Sequence, residues 1–159
     1  MQKITLISVG NLKEEYFRNA AAEYEKRLSG FCTFRNINLK EEKIRNENSQ
    51  AEIVAALEKE GERIIASFPA RAYKIALCIE GEQYTSEGLA CQIERIGEIT
   101  SEICFVIGSS HGLSEKVKKS CDKTFSMSRL TFPHQLARII LLEAVYRALS
   151  ISAGAKYHK

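Results

Sequence analysis

The chain is punctuated by short apolar runs, and three of them close on glycine. KITLISV (3–9) stops at Gly10, YKIALCI (73–79) at Glu80-Gly81, and ICFVI (103–107) at Gly108. Brief, uninterrupted, partly β-branched runs are the mark of strands covered on both faces of a parallel sheet. Two weaker runs, CTFRNINL (32–39) and TFSMS (124–128), complete a set of five strands. The intervening segments carry apolar residues at three- and four-residue steps. LKEEYFRNAAAEYEKRL (12–28) is one such helix. A second starts at Ser49, with Glu52 as its capping-box partner, and runs to about Ser67 before Pro69. SEGLACQIERIGEI (86–99), a short helix at 114–121, and a long one from TFPHQLAR to about Ser152 follow.

This alternation predicts an α/β fold: a mostly parallel five-stranded sheet with helices on both faces. At 159 residues, without an internal repeat or a low-complexity linker, residues 1–159 are expected to form one domain. Ligands of such sheets bind beyond the carboxyl ends of the strands. Gly10, Gly81 and Gly108 are therefore candidates for one crevice, or simply tight turns. KEEKIRNENS (40–49) reads as a mobile charged loop.

The net charge of +3 is unevenly spread. From Met127 onward five basic residues face Glu143 alone, so this fifth carries +4 and the remainder −1. Such a balance suits a polyanionic partner, or a scattered basic surface. The five cysteines form no CxxC pair, which fits reduced thiols rather than disulfides or a metal site; no metal is expected. No segment reaches the roughly 18 apolar residues of a membrane span, and the first run is too short for a signal peptide. The expectation is a cytoplasmic protein without a membrane role.

Three motifs carry candidate chemistry. GSSHG (108–112) follows a buried strand and opens a helix, so its N–H groups are able to face an anion or a polar ligand; it is neither GxGxxG nor a P-loop. His111 within it has two readings, solvated loop residue or catalyst. In TFPHQLAR (131–138), Thr131 or Phe132 suits the cap and Pro133 the first helical position. Residues 136–149, LARIILLEAVYRAL, are polar only at Arg138, Glu143 and Arg147, so this helix is expected to be buried on more than one side, one of them a possible subunit interface. That account does not require His134, Gln135 and Arg138 to gather on its first turns. The tail ends in Tyr157-His158-Lys159, either a frayed terminus or an aromatic and cationic group for stacking on a base and meeting phosphate.

Taken together, ISVGNLKEEY, FVIGSSHGLSEKV, FSMSRLTFPHQLARIILLEAVYRA and the closing YHK resemble the bacterial SPOUT-class ribosomal RNA large-subunit methyltransferase H family over essentially the whole chain. The resemblance implies transfer of a methyl group from S-adenosyl-L-methionine to N3 of a pseudouridine in 23S ribosomal RNA on the assembled ribosome. It also implies a C-terminal trefoil knot and a homodimer. Carried over by motif, the cofactor positions fall at Leu77, Gly108, Met127, Ser128, Arg129, Leu130, Thr131 and Phe132. His134 and His158 are candidate bases, Arg138 a candidate for stabilising an anion or holding phosphate, and Tyr157, His158 and Lys159 candidates for RNA contact. Relatives usually carry two glycines where this chain has Gly108-Ser109. If that position needs φ > 0, serine there is costly. Two other readings stay open: a methyltransferase of the same fold acting on another RNA such as transfer RNA, and a non-catalytic ribosome-associated RNA-binding dimer.

Overall fold

A computed structural model describes residues 1–157. Strands and helices alternate throughout: β1 (Lys3–Val9), α1 (Glu15–Leu28), β2 (Thr33–Leu39), α2 (Gln50–Ala66), β3 (Tyr73–Glu82), α3 (Ser86–Ile99), β4 (Glu102–Ile107), α4 (Glu115–Ser120), β5 (Lys123–Phe125) and α5 (His134–Ser152). The strands form one sheet in the order β2-β1-β4-β3-β5, every pair parallel. The α/β fold with helices on both faces is as expected.

Side-chain alternation explains the two layers. Ile4 and Leu6 of β1, Ile75 and Leu77 of β3, and Ile103 and Phe105 of β4 point to the face covered by α1, α3 and α5. Ile7 and Val9, Ala76, and Cys104 and Val106 point to the other face, where Ile64 of α2 and Val117 of α4 pack. Central β1 and β4 are buried on both sides, which is why they read as unbroken apolar runs, whereas edge strand β2 alternates. The long apolar helix α5 lies against both α1 and α3. Much of the burial foreseen for it is thus met within the chain.

Five local expectations shift. α1 begins at Glu15, because the preceding segment is held in another conformation: Arg18 Nη1 donates to the Leu12 and Lys13 carbonyls (3.2 and 2.6 Å), and the Lys13 N–H donates to Gln135 Oε1 at 2.8 Å. Ser49 does cap α2, its Oγ accepting from the Glu52 N–H at 3.3 Å, but the Glu52 carboxylate reaches the Asn46 N–H instead of closing a capping box. Pro133 sits at the N-cap of α5, with His134 first in the helix. β3 does not stop at Gly81 but runs to Glu82, while β5 ends early, at Phe125.

Burial pushes the Cys32 and Cys121 thiols up to about 11 and Cys104 up to about 12, so all three stay protonated at neutral pH. Among the described residues no helix is long and apolar enough to cross a membrane.

Candidate active site

A cavity of about 340 Å³ opens beyond the carboxyl ends of β3, β4 and β5. Its first wall comes from an interruption in the sheet. Phe125 pairs with Leu77 and again with Glu82, so the intervening residues of β3 have no partner in the β5 ladder; β4 pairs with β3 only as far as Ala76. Cys78, Ile79 and Glu80, which fall between these two pairings, line the cavity there. Gly81 permits the bulge for a steric reason: a Cβ on it would lie 2.7 Å from the Phe125 backbone.

The second wall is the 108–112 loop, closed by the Gly112 N–H donating to the Ser109 carbonyl at 2.9 Å. A Cβ on Gly108 would fall 2.1 Å from the Gly112 carbonyl oxygen, so this position admits no side chain. Within this loop the residue with positive φ is Gly112 (+85°), and among the described residues no non-glycine residue has one. Ser109 therefore carries no left-handed strain. Its hydroxyl is buried and donates to Glu60 Oε1 at 2.8 Å.

The third wall is the segment after β5. Ser126 Oγ donates to the Ser128 carbonyl (2.9 Å) and the Leu130 N–H to Ser128 Oγ (3.0 Å), which folds residues 126–130 into a compact turn. Of the positions carried over as cofactor contacts, Leu77, Gly108, Met127, Ser128, Leu130, Thr131 and Phe132 line this one cavity; Arg129 is exposed and does not. His134 lines it too. Arg138 lines neither this cavity nor its neighbour: it is 4 % exposed, and Nη2 donates to the Gly10 carbonyl at 2.7 Å. Tyr157 is half-buried against α5, its hydroxyl donating to Glu143 Oε2 (2.9 Å) and its ring meeting Tyr146 and the Arg147 guanidinium. His158 and Lys159 lie outside the described residues.

A second, larger cleft of about 800 Å³ lies beyond β1 and β2, bounded by Gly10, Lys13, Asn38, residues 39–45 and Glu47, and shares Ser110 and His111 with the cavity. The loop at 40–49, expected to be mobile, is pinned to its surroundings. The Glu42 N–H donates to Glu60 Oε2 (2.9 Å), Ser110 Oγ to Glu41 Oε1 (3.4 Å), and His111 Nε2 lies 2.6 Å from Glu47 Oε2. Of the three glycine candidates, Gly108 lines the cavity, Gly10 lines the cleft, and Gly81 lines neither.

Burial raises the Glu60 carboxyl above the usual carboxylate range, helped by Glu41 and Glu42 and opposed by its two hydrogen bonds. Because the folded chain then holds this proton more tightly than the unfolded one, stability from the group is full below the ordinary glutamate value and is lost as pH rises from there through the raised folded one. Glu60→Gln retains an acceptor for the Glu42 N–H and offers an amide to Ser109. It is expected to stabilise the fold on the order of 1 kcal/mol at pH 7.5, with the gain closing below about pH 4.5. Urea unfolding at both pH values checks this, and an equal effect at both would show that charge is not the cause. Elsewhere in the cavity, Lys118 pairs with Glu80 at 2.5 Å and holds its carboxyl below the usual range. Burial, with Arg138 and Lys13 adding to it against Glu41, lowers His134, so its ring is neutral at pH 7.

A family model described as a predicted SPOUT methyltransferase matches residues 2–158. The chain belongs to the SPOUT methyltransferase family. It is 49% identical over 158 residues to the ribosomal RNA large subunit methyltransferase H of Streptococcus thermophilus strain CNRZ 1066, which covers 99% of both chains. The corresponding proteins of Bifidobacterium adolescentis (48% over 158 residues; 99% of both chains) and Ligilactobacillus salivarius (46% over 157; 98% of this chain and 99% of that one) are similar throughout. As a SPOUT protein, this chain adds wall residues that its sequence did not single out, Cys78, Ile79 and Glu80 on the bulge and Lys118 on α4, while Ser110 and His111 of GSSHG stand between the two concavities. A register shift leaves no mark in hydrophobic periodicity. Only the spacing of Gly81 four residues after Leu77 could have pointed to it.

Proposed function

We propose that this chain is an S-adenosyl-L-methionine-dependent methyltransferase that modifies N3 of a pseudouridine in 23S ribosomal RNA on the assembled large subunit or ribosome. The family and the names of its full-length relatives support methyl transfer to ribosomal RNA. The observation that carries the cofactor is the interrupted β3 ladder. It places residues 78–80, outside the β5 ladder, along a cavity whose other walls are apolar at Leu77, Leu113, Phe125, Met127, Leu130 and Phe132. Unladdered backbone suits the edge of a purine, the apolar walls suit its faces, and about 340 Å³ is within the range of small-molecule sites. The residues present fit the cofactor. In this reading residues 78–80, the 108–112 loop and residues 127–132 hold it.

When bound, the cofactor supplies an electrophilic methyl group on a sulfonium. The protein aligns the nucleotide, excludes water and takes up the N3 proton. His134 is the base within the described residues: its ring is neutral, it lines the cavity, and Nε2 lies 3.7 Å from where a Cβ on Gly10 would stand, at the edge of the cleft. His158 is the second candidate. Arg138 acts as a positioning residue, tying the first turns of α5 to the end of β1 beside His134. Tyr157, His158 and Lys159 serve RNA contact, with Tyr157 setting where the tail leaves α5. The chain acts as one domain, carries the C-terminal knot of its family and works as a homodimer in the cytoplasm. Exposed Leu130 (70 %) and Leu136 (36 %) supply apolar surface for the partner.

Tritiated methyl transfer to unmodified ribosomes, followed by mapping of the modified nucleotide, tests the reading. Incorporation into transfer RNA alone, or no calorimetric binding of S-adenosyl-L-methionine, overturns it. With His134 as base, kcat/KM should be flat above its ordinary value near pH 6.5 and fall on an acid limb lying below it. His134→Gln should remove that limb and lower kcat by about 10²-fold or more. An unchanged profile in the variant would assign the proton elsewhere.

A further inference from the structure

The larger cleft plays no part in holding the cofactor, yet it shares a wall with the cavity that does. Ser110 and His111 line both, and His134 stands between Gly10 of the cleft and the cavity. Four cations surround the cleft: Lys13, Lys40, Lys43 and Arg45, all exposed. Three carboxylates also line it, but each is engaged. Glu42 pairs with Arg63, Glu47 with His111 and Glu41 with the Ser110 hydroxyl. Among the described residues, none of the four cations has an ion-pair partner. Four cations thus stand against three carboxylates, one of them taken up by Arg63 from outside the cleft, which leaves a net positive balance beside the cavity.

Its other lining narrows the chemistry of the occupant. Asn11 and Asn38 are polar, Leu39 and Ile44 aliphatic, and among the described residues no Phe, Tyr or Trp lines it. A groove that reads unpaired bases needs aromatic platforms, whereas one that holds a phosphodiester chain needs cations and polar groups. At about 800 Å³ the cleft is also larger than a single base requires.

We propose that this cleft is a phosphodiester-binding subsite for the RNA substrate. It holds the backbone beside the target nucleotide through Lys13, Lys40, Lys43 and Arg45 while the target base turns past His134 into the cavity. This rests on the RNA methyltransferase reading above. The carboxylate contacts of Ser110 and His111 then have a second effect: they keep Glu41 and Glu47 turned to the protein and away from the phosphates.

The test compares the wild type, Lys43→Ala/Arg45→Ala, and a charge-matched control, Lys26→Ala/Lys59→Ala. Both control residues are exposed and lie outside both concavities. Binding of unmodified ribosomes is read directly by filter retention across a salt series, and S-adenosyl-L-methionine binding by calorimetry. The cleft variant should bind ribosomes at least about tenfold more weakly at 0.15 M salt. Its log–log salt slope should be shallower by about 1–2, with cofactor affinity unchanged. Wild-type affinity and slope in the cleft variant overturn the proposal, as does an equal loss in the control, which would mean a diffuse charge effect. A wild type that binds ribosomes with the cleft dependence but fails to bind the cofactor would overturn the methyltransferase reading and leave the subsite standing. A wild type that methylates ribosomes with no cleft dependence would do the reverse.

Discussion

Gly108→Ala is expected to weaken S-adenosyl-L-methionine binding about 100-fold, whereas Gly112→Ala, at the other end of the same turn, weakens it only several-fold. The two positions fail for different reasons. A methyl group on Gly108 would stand 2.1 Å from the Gly112 carbonyl oxygen and 3.0 Å from Leu113 Cδ2. The obstacle at 2.1 Å is main chain, so no side-chain rotation relieves it and the loop must move off the end of β4. An overpacking cost of about 3 kcal/mol corresponds to about two decades in affinity. A methyl group on Gly112 meets nothing within 4 Å, and its cost is the left-handed φ of +85°, about 1–2 kcal/mol. Part of that falls on stability rather than on the bound state. Calorimetric titration of both variants, with thermal melts alongside, separates the cases. A Gly108→Ala protein that melts cooperatively and binds like wild type would show that this turn is not a wall of the cofactor site.

The second large effect is on stability. Arg138→Ala should lose about 3–5 kcal/mol in urea unfolding, the combined scale of a truncated buried side chain and an orphaned acceptor. The guanidinium is 4 % exposed and joins positions 128 residues apart, from α5 to the Gly10 carbonyl where β1 ends. Arg138→Met keeps most of the volume and removes the donors, so it should lose only about 1–3 kcal/mol. If Arg138 positions His134 by holding this corner, Arg138→Met should shift the acid limb of the pH profile with a modest change in kcat. A large fall in kcat at unchanged stability would instead place the guanidinium on a reacting anion.

How far the sequence reveals this molecule depends on the range of the interaction. Strands β1 and β4 are legible because burial on both faces forces unbroken apolar runs, and α2 because Ser49 satisfies an N–H three residues away. The bulge in β3 is not legible. Gly81 looks like the end of a strand, and only the approach of Phe125, 44 residues later, shows that it admits a crossing backbone. The cofactor positions carried over by motif fall largely on one cavity, since whole segments move together in a family. Arg138 shows the limit of that transfer: polar residues on adjacent turns of α5 need not face the same space, and this one turns inward to a carbonyl. Segment 40–49 looks mobile because its composition is polar, but its anchors, Glu60, Ser110 and His111, lie elsewhere in the chain.

Three consecutive side chains of the turn after β4, Ser109, Ser110 and His111, each meet a carboxylate from another part of the chain: Glu60, Glu41 and Glu47. The conformational freedom of this turn is therefore surrendered when the chain folds, before any ligand arrives. Association should need no ordering step at this wall, and amide exchange within it should already be slow in the free protein. Ser109 acts as a rivet here, exchanging the latitude a glycine would have for a fixed shape.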